Sequence, residues 1–230
     1  MDVYPIYLNN LHGRRCVVFG GGHAGEAERK VESLIECGAD VTVVSREFSA
    51  ELAAHADVEW IPRGYVPGDL DGAFLAIVSE TNPPRTKPIW EEAQRHNVLI
   101  NAMDDVPHCT FVAGSVVRRG KLTLSISTSG AAPALSVRLR QRFQEEFGPH
   151  YSIFLDWMAA LRDPMAAHHP DFDARRSLWY EIVDSDVLDL LGEGRERAAR
   201  ESLRQLVGDE IVIEAGLTDS VNEPITQEVW

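Results

Sequence analysis

The sequence predicts an α/β protein built on a doubly wound parallel sheet, followed by a smaller, mainly helical part. Three observations carry this. Between residues 15 and 101, short apolar runs rich in β-branched residues alternate with segments long enough to be crossover helices. The first of these runs leads straight into a glycine-rich turn and then an amphipathic helical pattern. Past residue 110 the alternation gives way to two strand-like runs and a long stretch at helical spacing.

Residues 16–19 (Cys-Val-Val-Phe) are apolar throughout, as a strand buried on both faces requires. A helix is expected over 25–37 and closed by Gly38, glycine being suited to the left-handed turn at a helix end. Residues 41–44 form a second strand, and 48–55 a short helix after the turn Ser45-Arg46-Glu47. Further strands are expected at Val58–Ile61 and 73–78, a helix at 88–96 ending at Asn97, and a fifth strand at 98–100, stopping at Asn101. The runs at 111–117 and 122–127, joined by Arg118-Arg119-Gly120-Lys121, read as a hairpin. A helix over 133–147 is stopped by Gly148-Pro149. Residues 151–207 read as helices broken at Asp163-Pro164, His169-Pro170 and 192–194. Phe154, Trp157, Leu161, Leu178, Trp179, Ile182, Leu188 and Leu191 recur there at helical spacing and mark a core. Residues 214–230 show little periodicity and are expected to form a flexible tail.

With 230 residues, 44% hydrophobic and 25% charged, the chain is large enough for a substantial core in one or two domains. The net charge of −14 repels polyanions and argues against nucleic-acid or anionic-membrane partners. No apolar run reaches the roughly 20 residues of a membrane span. Met1-Asp2-Val3-Tyr4-Pro5 lacks the basic and apolar regions of a secretory signal. Cys16, Cys37 and Cys109 are odd in number and have no metal-ligand spacing, so no metal site is expected, and Cys16 and Cys37 read as small buried groups in a reducing cytoplasm.

The motif at the first strand's end is G-x-G-x-x-G, formed by Gly20, Gly22 and Gly25, with His23 and Ala24 inside it. Such a turn suits a dinucleotide pyrophosphate: Gly20 permits the bend, Gly22 the close backbone approach, and Gly25 close packing of helix on strand. Ligands of parallel sheets lie beyond the carboxyl ends of the strands. This singles out Arg46, Glu47, Ser79, Glu80 and Asn101 as cofactor-facing candidates. An acidic group after the second strand suits the ribose hydroxyls of NAD, whereas an arginine suits the 2′-phosphate of NADP; Arg46-Glu47 offers both. Asn101 either contacts the cofactor or orders its own turn.

Four segments in register resemble one family, precorrin-2 dehydrogenase/sirohydrochlorin ferrochelatase, which includes the N-terminal module of siroheme synthase. They are Tyr4-Pro5-Ile6-Tyr7-Leu8, Gly20-Gly21-Gly22 with Arg29-Lys30, Asn101-Ala102-Met103-Asp104-Asp105, and the stretch 125–140. The last contains Ser127-Thr128, Gly130, Pro133-Ala134-Leu135 and Arg138-Leu139-Arg140. Two departures stand out. The chain carries two extra residues between Gly22 and Arg29, and Ser129 stands where the family usually has glycine.

The resemblance implies a Rossmann domain over 1–113, a hairpin-plus-helix dimerisation segment over 114–149, and an all-helical C-terminal domain over 150–213. It implies a homodimeric, cytoplasmic, NAD-dependent enzyme that oxidises precorrin-2 to sirohydrochlorin in siroheme or related tetrapyrrole biosynthesis. Some members also insert Fe²⁺. A non-catalytic dinucleotide sensor is the alternative of another class. Asp104 matches the family's acidic residue and is expected to act as general base, and Asp105 as its structural neighbour. Thr128 and Arg138 are expected at the substrate, whose eight carboxylates need cations; Arg118, Arg119, Lys121 and Arg140 are further candidates. His108 is weighed as a metal carrier, and His168 and His169 as structural.

Overall fold

The computed structural model describes residues 4–20, 25–79 and 83–218. The chain divides into two units, Met1–Ala113 and Gly114–Trp230.

In the first unit, the strands are β1 (Arg15–Phe19), β2 (Asp40–Val44), β3 (Val58–Ile61), β4 (Leu75–Val78) and β5 (Leu99–Ala102). They form one parallel sheet in the order β3-β2-β1-β4-β5. The chain winds outward from β1 to β3, then returns to the other side of β1 at β4, which creates a topological switch point between β1 and β4. The helices are α1 (Glu26–Glu36), α2 (Ala50–Ala53) and α3 (Pro83–His96). Alternate residues of β1 serve opposite faces, as the two-residue period of a strand dictates. Cys16 and Val18 pack with Ala27 and Val31 of α1, whereas Val17 and Phe19 pack with Ile89 and Ala93 of α3. Both faces are therefore covered, which is why the strands are apolar runs rather than alternating ones.

The predicted elements of this unit need four adjustments. Residues 48–55 yield only the single-turn α2, whose Ser49 side chain accepts the Leu52 N–H. The predicted strand at 73–78 starts at Leu75. The helix predicted at 88–96 begins at Pro83, because prolines fit a first helical turn whose N–H groups have no internal partner. The fifth strand runs to Ala102, which places Asn101 inside it.

The loop between β3 and β4 is tied down by buried carboxylates. Asp69 accepts two bonds from Arg63 at 2.6 and 2.7 Å, and Arg15 donates to the carbonyls of Asp69 and Asp71. Glu92 of α3 is 1% exposed and accepts the Leu70 N–H at 2.9 Å, the Gly68 N–H at 3.1 Å and the Tyr65 hydroxyl. Burial and this bond to Glu92 push the Tyr65 hydroxyl pKa upward.

In the second unit, β6 (Ser115–Arg119) and β7 (Leu122–Ile126) form an antiparallel hairpin. The strand predicted at 111–117 begins four residues later, because the Thr110 and Phe111 N–H groups instead bond the Ile100 carbonyl. Helices α4 (Pro133–Glu146), α5 (His150–His168), α6 (Phe172–Val183), α7 (Val187–Gly192), α8 (Glu196–Val207) and α9 (Asp209–Glu214) follow. The expected break at Asp163-Pro164 does not occur. Helix α5 continues through Pro164, because Phe154, Trp157, Leu161 and Met165 bury one face and hold the turn despite the missing hydrogen bond. The helix-spaced apolar residues form the core: Phe154, Trp157, Leu161, Ile182 and Leu191 are buried, with Leu178, Trp179 and Leu188 packed against them. His168 bonds Glu214 at 3.0 Å and joins α5 to α9, the structural role expected of it. The predicted tail overlaps the last residue of α9, and its residues 219–230 lie outside those described. No described helix is long and apolar enough to cross a membrane.

Between β7 and α4 the chain turns through Ser129, whose φ of 52° is in the left-handed region. Glycine relieves that strain, so Ser129→Gly should raise unfolding stability by about 0.5–1 kcal/mol in urea melts. Glu92→Gln turns an amide donor toward backbone N–H groups and should lower stability by about 2–3 kcal/mol in the same assay.

Candidate active site

The register of the sheet assembles the site. Phe19 lies opposite both Val44 and Val78, and Val78 lies opposite Ala102. The next residues, Gly20, Ser45, Ser79 and Met103, therefore leave the sheet at one level. Each continues the ladder by one bond: Gly20 N–H to Val44 O (3.1 Å), Ser45 N–H to Ile61 O (3.2 Å), Ser79 N–H to Phe19 O (2.9 Å) and Met103 N–H to Val78 O (2.9 Å).

Gly20 has φ 91°, which a β-carbon would oppose, and it turns the chain at the switch point. Gly25 is the N-cap of α1 with φ 70° and ψ 15°, and no side chain among the described residues caps the helix. Its role differs from the close packing expected of it: among the described residues nothing lies within 4 Å of where its β-carbon would stand, so its conformation calls for glycine. An uncapped helix start at the carboxyl edge of a parallel sheet fits a nucleotide pyrophosphate. Gly22, His23 and Ala24, the other predicted members of this turn, lie outside the described residues, as does Glu80.

Arg46 and Glu47 are both exposed past β2. The buried Ser45 sets their path, since its hydroxyl donates to the Glu47 carbonyl at 2.6 Å while its own carbonyl accepts the Trp60 indole N–H at 2.9 Å. The Ser79 hydroxyl donates to Phe19 O at 3.1 Å, pinning the end of β4 to that of β1. Asn101 is 8% exposed and gives its side-chain N–H to Phe111 O at 3.1 Å, so its amide orders the chain after β5.

Asp104 is exposed, immediately beyond Met103. It has φ 59° and occupies the third position of a turn closed by Asp105 N–H to Ala102 O at 3.2 Å. Positive φ at that position is the type II pattern, which Asp tolerates better than most residues. Its carboxylate has no hydrogen bond or ion pair among the described residues. Asp105 is occupied instead, 2.7 Å from His108 Nδ1. His108 is thus a hydrogen-bonded loop histidine, the plainer of the two readings its sequence position allows beside metal delivery, although the sequence does not name Asp105 as its partner.

The remaining predicted residues belong to the second unit. The Thr128 hydroxyl accepts the Ala132 N–H at 3.3 Å and shapes the turn into α4. Arg138 is exposed and reaches Gln141 at 3.3 Å; Arg140 reaches Gln144 at 3.1 Å. Arg119 bonds the carbonyls of Phe147 (2.7 Å) and Gln144 (2.8 Å) at the end of α4, and Lys121 pairs with Asp156. Arg119 thereby ties the hairpin to the end of α4, while the Lys121 pair is exposed. Sequence reasoning missed Cys109, whose thiol lies on both backbone groups of Ala102.

Comparison with known proteins matches residues 7–115 to a family of NAD(P)-binding domains, 119–146 to the central region of sirohaem biosynthesis proteins, and 150–207 to the sirohaem synthase dimerisation region. The chain is 32% identical over 208 residues to a siroheme synthase of Thioalkalivibrio sulfidiphilus, covering 89% of this chain and 42% of that protein. It is 29% identical over 210 residues to a siroheme synthase of Chromobacterium violaceum, covering 90% and 44%. The chain thus spans less than half the length of these relatives. The solved structure of SirC, a precorrin-2 dehydrogenase, superposes with a TM-score of 0.70 at 22% identity, over 88% of this chain and all of that one, which shows the shared fold. With its three regions matched in chain order, the chain belongs to the precorrin-2 dehydrogenase/sirohydrochlorin ferrochelatase family, to which siroheme synthase also belongs.

Proposed function

We propose that the chain is an NAD-dependent dehydrogenase that oxidises precorrin-2 to sirohydrochlorin, with Asp104 as general base. One observation supports this most directly: an exposed carboxylate without a partner among the described residues, one position beyond the row Gly20, Ser45, Ser79 and Met103. The reaction removes a hydride and a proton from the reduced macrocycle. NAD⁺, when bound, supplies the hydride acceptor. The chain's own residues do the rest. Gly20 and the start of α1 would hold the pyrophosphate, and the Ser79–Phe19 bond ties the ends of β4 and β1 together at this edge. Asp104 takes the proton.

Glu47 favours NAD through the ribose hydroxyls, while the neighbouring Arg46 supports a second reading in which NADP is also accepted. Arg138, exposed on α4, and the turn shaped by Thr128 are proposed to meet substrate carboxylates. No disulfide joins the three cysteines, which suits a reducing cytoplasm.

The protein is further proposed to act as a homodimer. Helix α4 has 14 residues and none is buried; Leu135 and Val137 are 52% and 42% exposed. A two-stranded hairpin and an uncovered helix have too little packing to stand alone. A second copy with the same apolar surface supplies what is missing.

Asp104→Asn keeps the left-handed turn and removes the charge. It should lower kcat for NAD⁺-dependent formation of sirohydrochlorin by about 10²–10⁴-fold. NAD⁺ affinity by calorimetry and far-UV circular dichroism should stay unchanged; turnover near the wild-type rate would overturn the assignment. Light scattering should give twice the 25.6 kDa of one chain, and Leu135→Asp should shift the mass toward that of the monomer.

A further inference from the structure

The turn bearing Asp104 is gripped on both sides by groups the oxidation itself does not use. On the preceding side, the Cys109 thiol donates to Ala102 O at 3.1 Å and accepts the Ala102 N–H at 3.2 Å, so one sulfur engages both backbone groups of one residue. The same segment runs along the outer edge of β5: Ile100 N–H donates to Thr110 Oγ1 at 2.8 Å, and Thr110 N–H returns to Ile100 O at 2.8 Å. On the following side, Asp105 is held by His108 at 2.7 Å, and the His108 ring packs edge-on against Trp90 of α3 at 5.1 Å. Between these anchors stands Asp104 at φ 59°. Asp tolerates such a conformation better than most residues, and the contacts on either side favour it further.

We infer that Cys109 and the Asp105–His108 pair are positioning residues, a two-sided clamp that holds the Asp104 carboxylate at the height of the row formed by Gly20, Ser45, Ser79 and Met103. This rests on the reading of Asp104 as general base. Thiol hydrogen bonds are weak singly, but here the sulfur stands in for a strand partner at the sheet edge: it gives the Ala102 N–H its acceptor and shares the Ala102 carbonyl with the Asp105 N–H. Burial also raises the Cys109 pKa, which keeps the thiol proton available for donation to the Ala102 carbonyl.

The test uses the full chain with precorrin-2 and NAD⁺. Cys109→Ala and Asp105→Asn should each lower kcat by about 10–100-fold, the scale expected when a reacting group is displaced by about 1 Å, with KM for NAD⁺ unchanged. Cys109→Ser, whose hydroxyl still donates and accepts, should recover most of the rate. In an Asp104→Asn background, Cys109→Ala should cost less than about threefold more, because its effect passes through the carboxylate already removed. Should Cys109→Ala fail to fold, Asp105→Asn, nearly isosteric, carries the same cycle. Equal losses in both backgrounds, or wild-type kcat in both single variants, would overturn the clamp. Wild-type turnover in Asp104→Asn would overturn the general-base reading itself, so the two failures are distinguishable.

Discussion

The hydrogen-bond register of the parallel sheet is the constraint on which everything else in the first unit depends. Because Phe19 stands opposite Val44 and Val78, and Val78 opposite Ala102, every loop on the carboxyl side begins at the same height. A slip of one residue in any pair would exchange the two faces of that strand, moving half its side chains away from the helix they pack against. Val17 and Phe19 on one face and Cys16 and Val18 on the other are all buried, so such a slip has no favourable alternative. Burial on both faces thus specifies the register, and the register places the site.

The carboxyl edge and the opposite end of the sheet are stabilised by different means. Away from the site, two carboxylates are well supplied with donors: Asp69 holds Arg63 in a two-point pair, and Glu92 gathers two backbone N–H groups and a tyrosine hydroxyl. At the site, Asp104 lacks any such partner among the described residues. A carboxylate saturated with donors is a poor proton acceptor, so Glu92 is spent on the fold, and the contrast with Asp104 supports the general base proposed above.

The second unit divides its labour similarly. Helices α5 to α9 share an apolar core around Leu161, Met165, Ile182 and Leu203, and Arg200 stacks over Trp157 at its border, 4.7 Å from the ring centroid. The hairpin and α4 have no comparable core, although Arg119 ties them to each other through the last carbonyls of the helix. The part that is self-sufficient and the part that is not lie side by side in sequence, and the boundary falls at the Gly148-Pro149 stop.

Strand–helix alternation, apolar runs and the glycine turn made the parallel sheet, its helices and the site edge legible in residues 15–105, because these depend on local periodicity and on a few backbone conformations. Asp104 was legible by resemblance to a family, whereas the left-handed backbone at Ser129 became clear only from its φ of 52°. What the sequence could not show was anything settled by partners distant along the chain. That Pro164 is carried inside α5, that Asn101 turns its amide toward Phe111, and that a cysteine and a histidine grip the turn around Asp104 all follow from packing and hydrogen bonds between separate segments. Composition and spacing determined which elements exist and where a ligand edge must lie. Only the tertiary structure decided which polar groups are spent on one another and which remain for a substrate, because a donor or acceptor is committed only when its partner arrives in space.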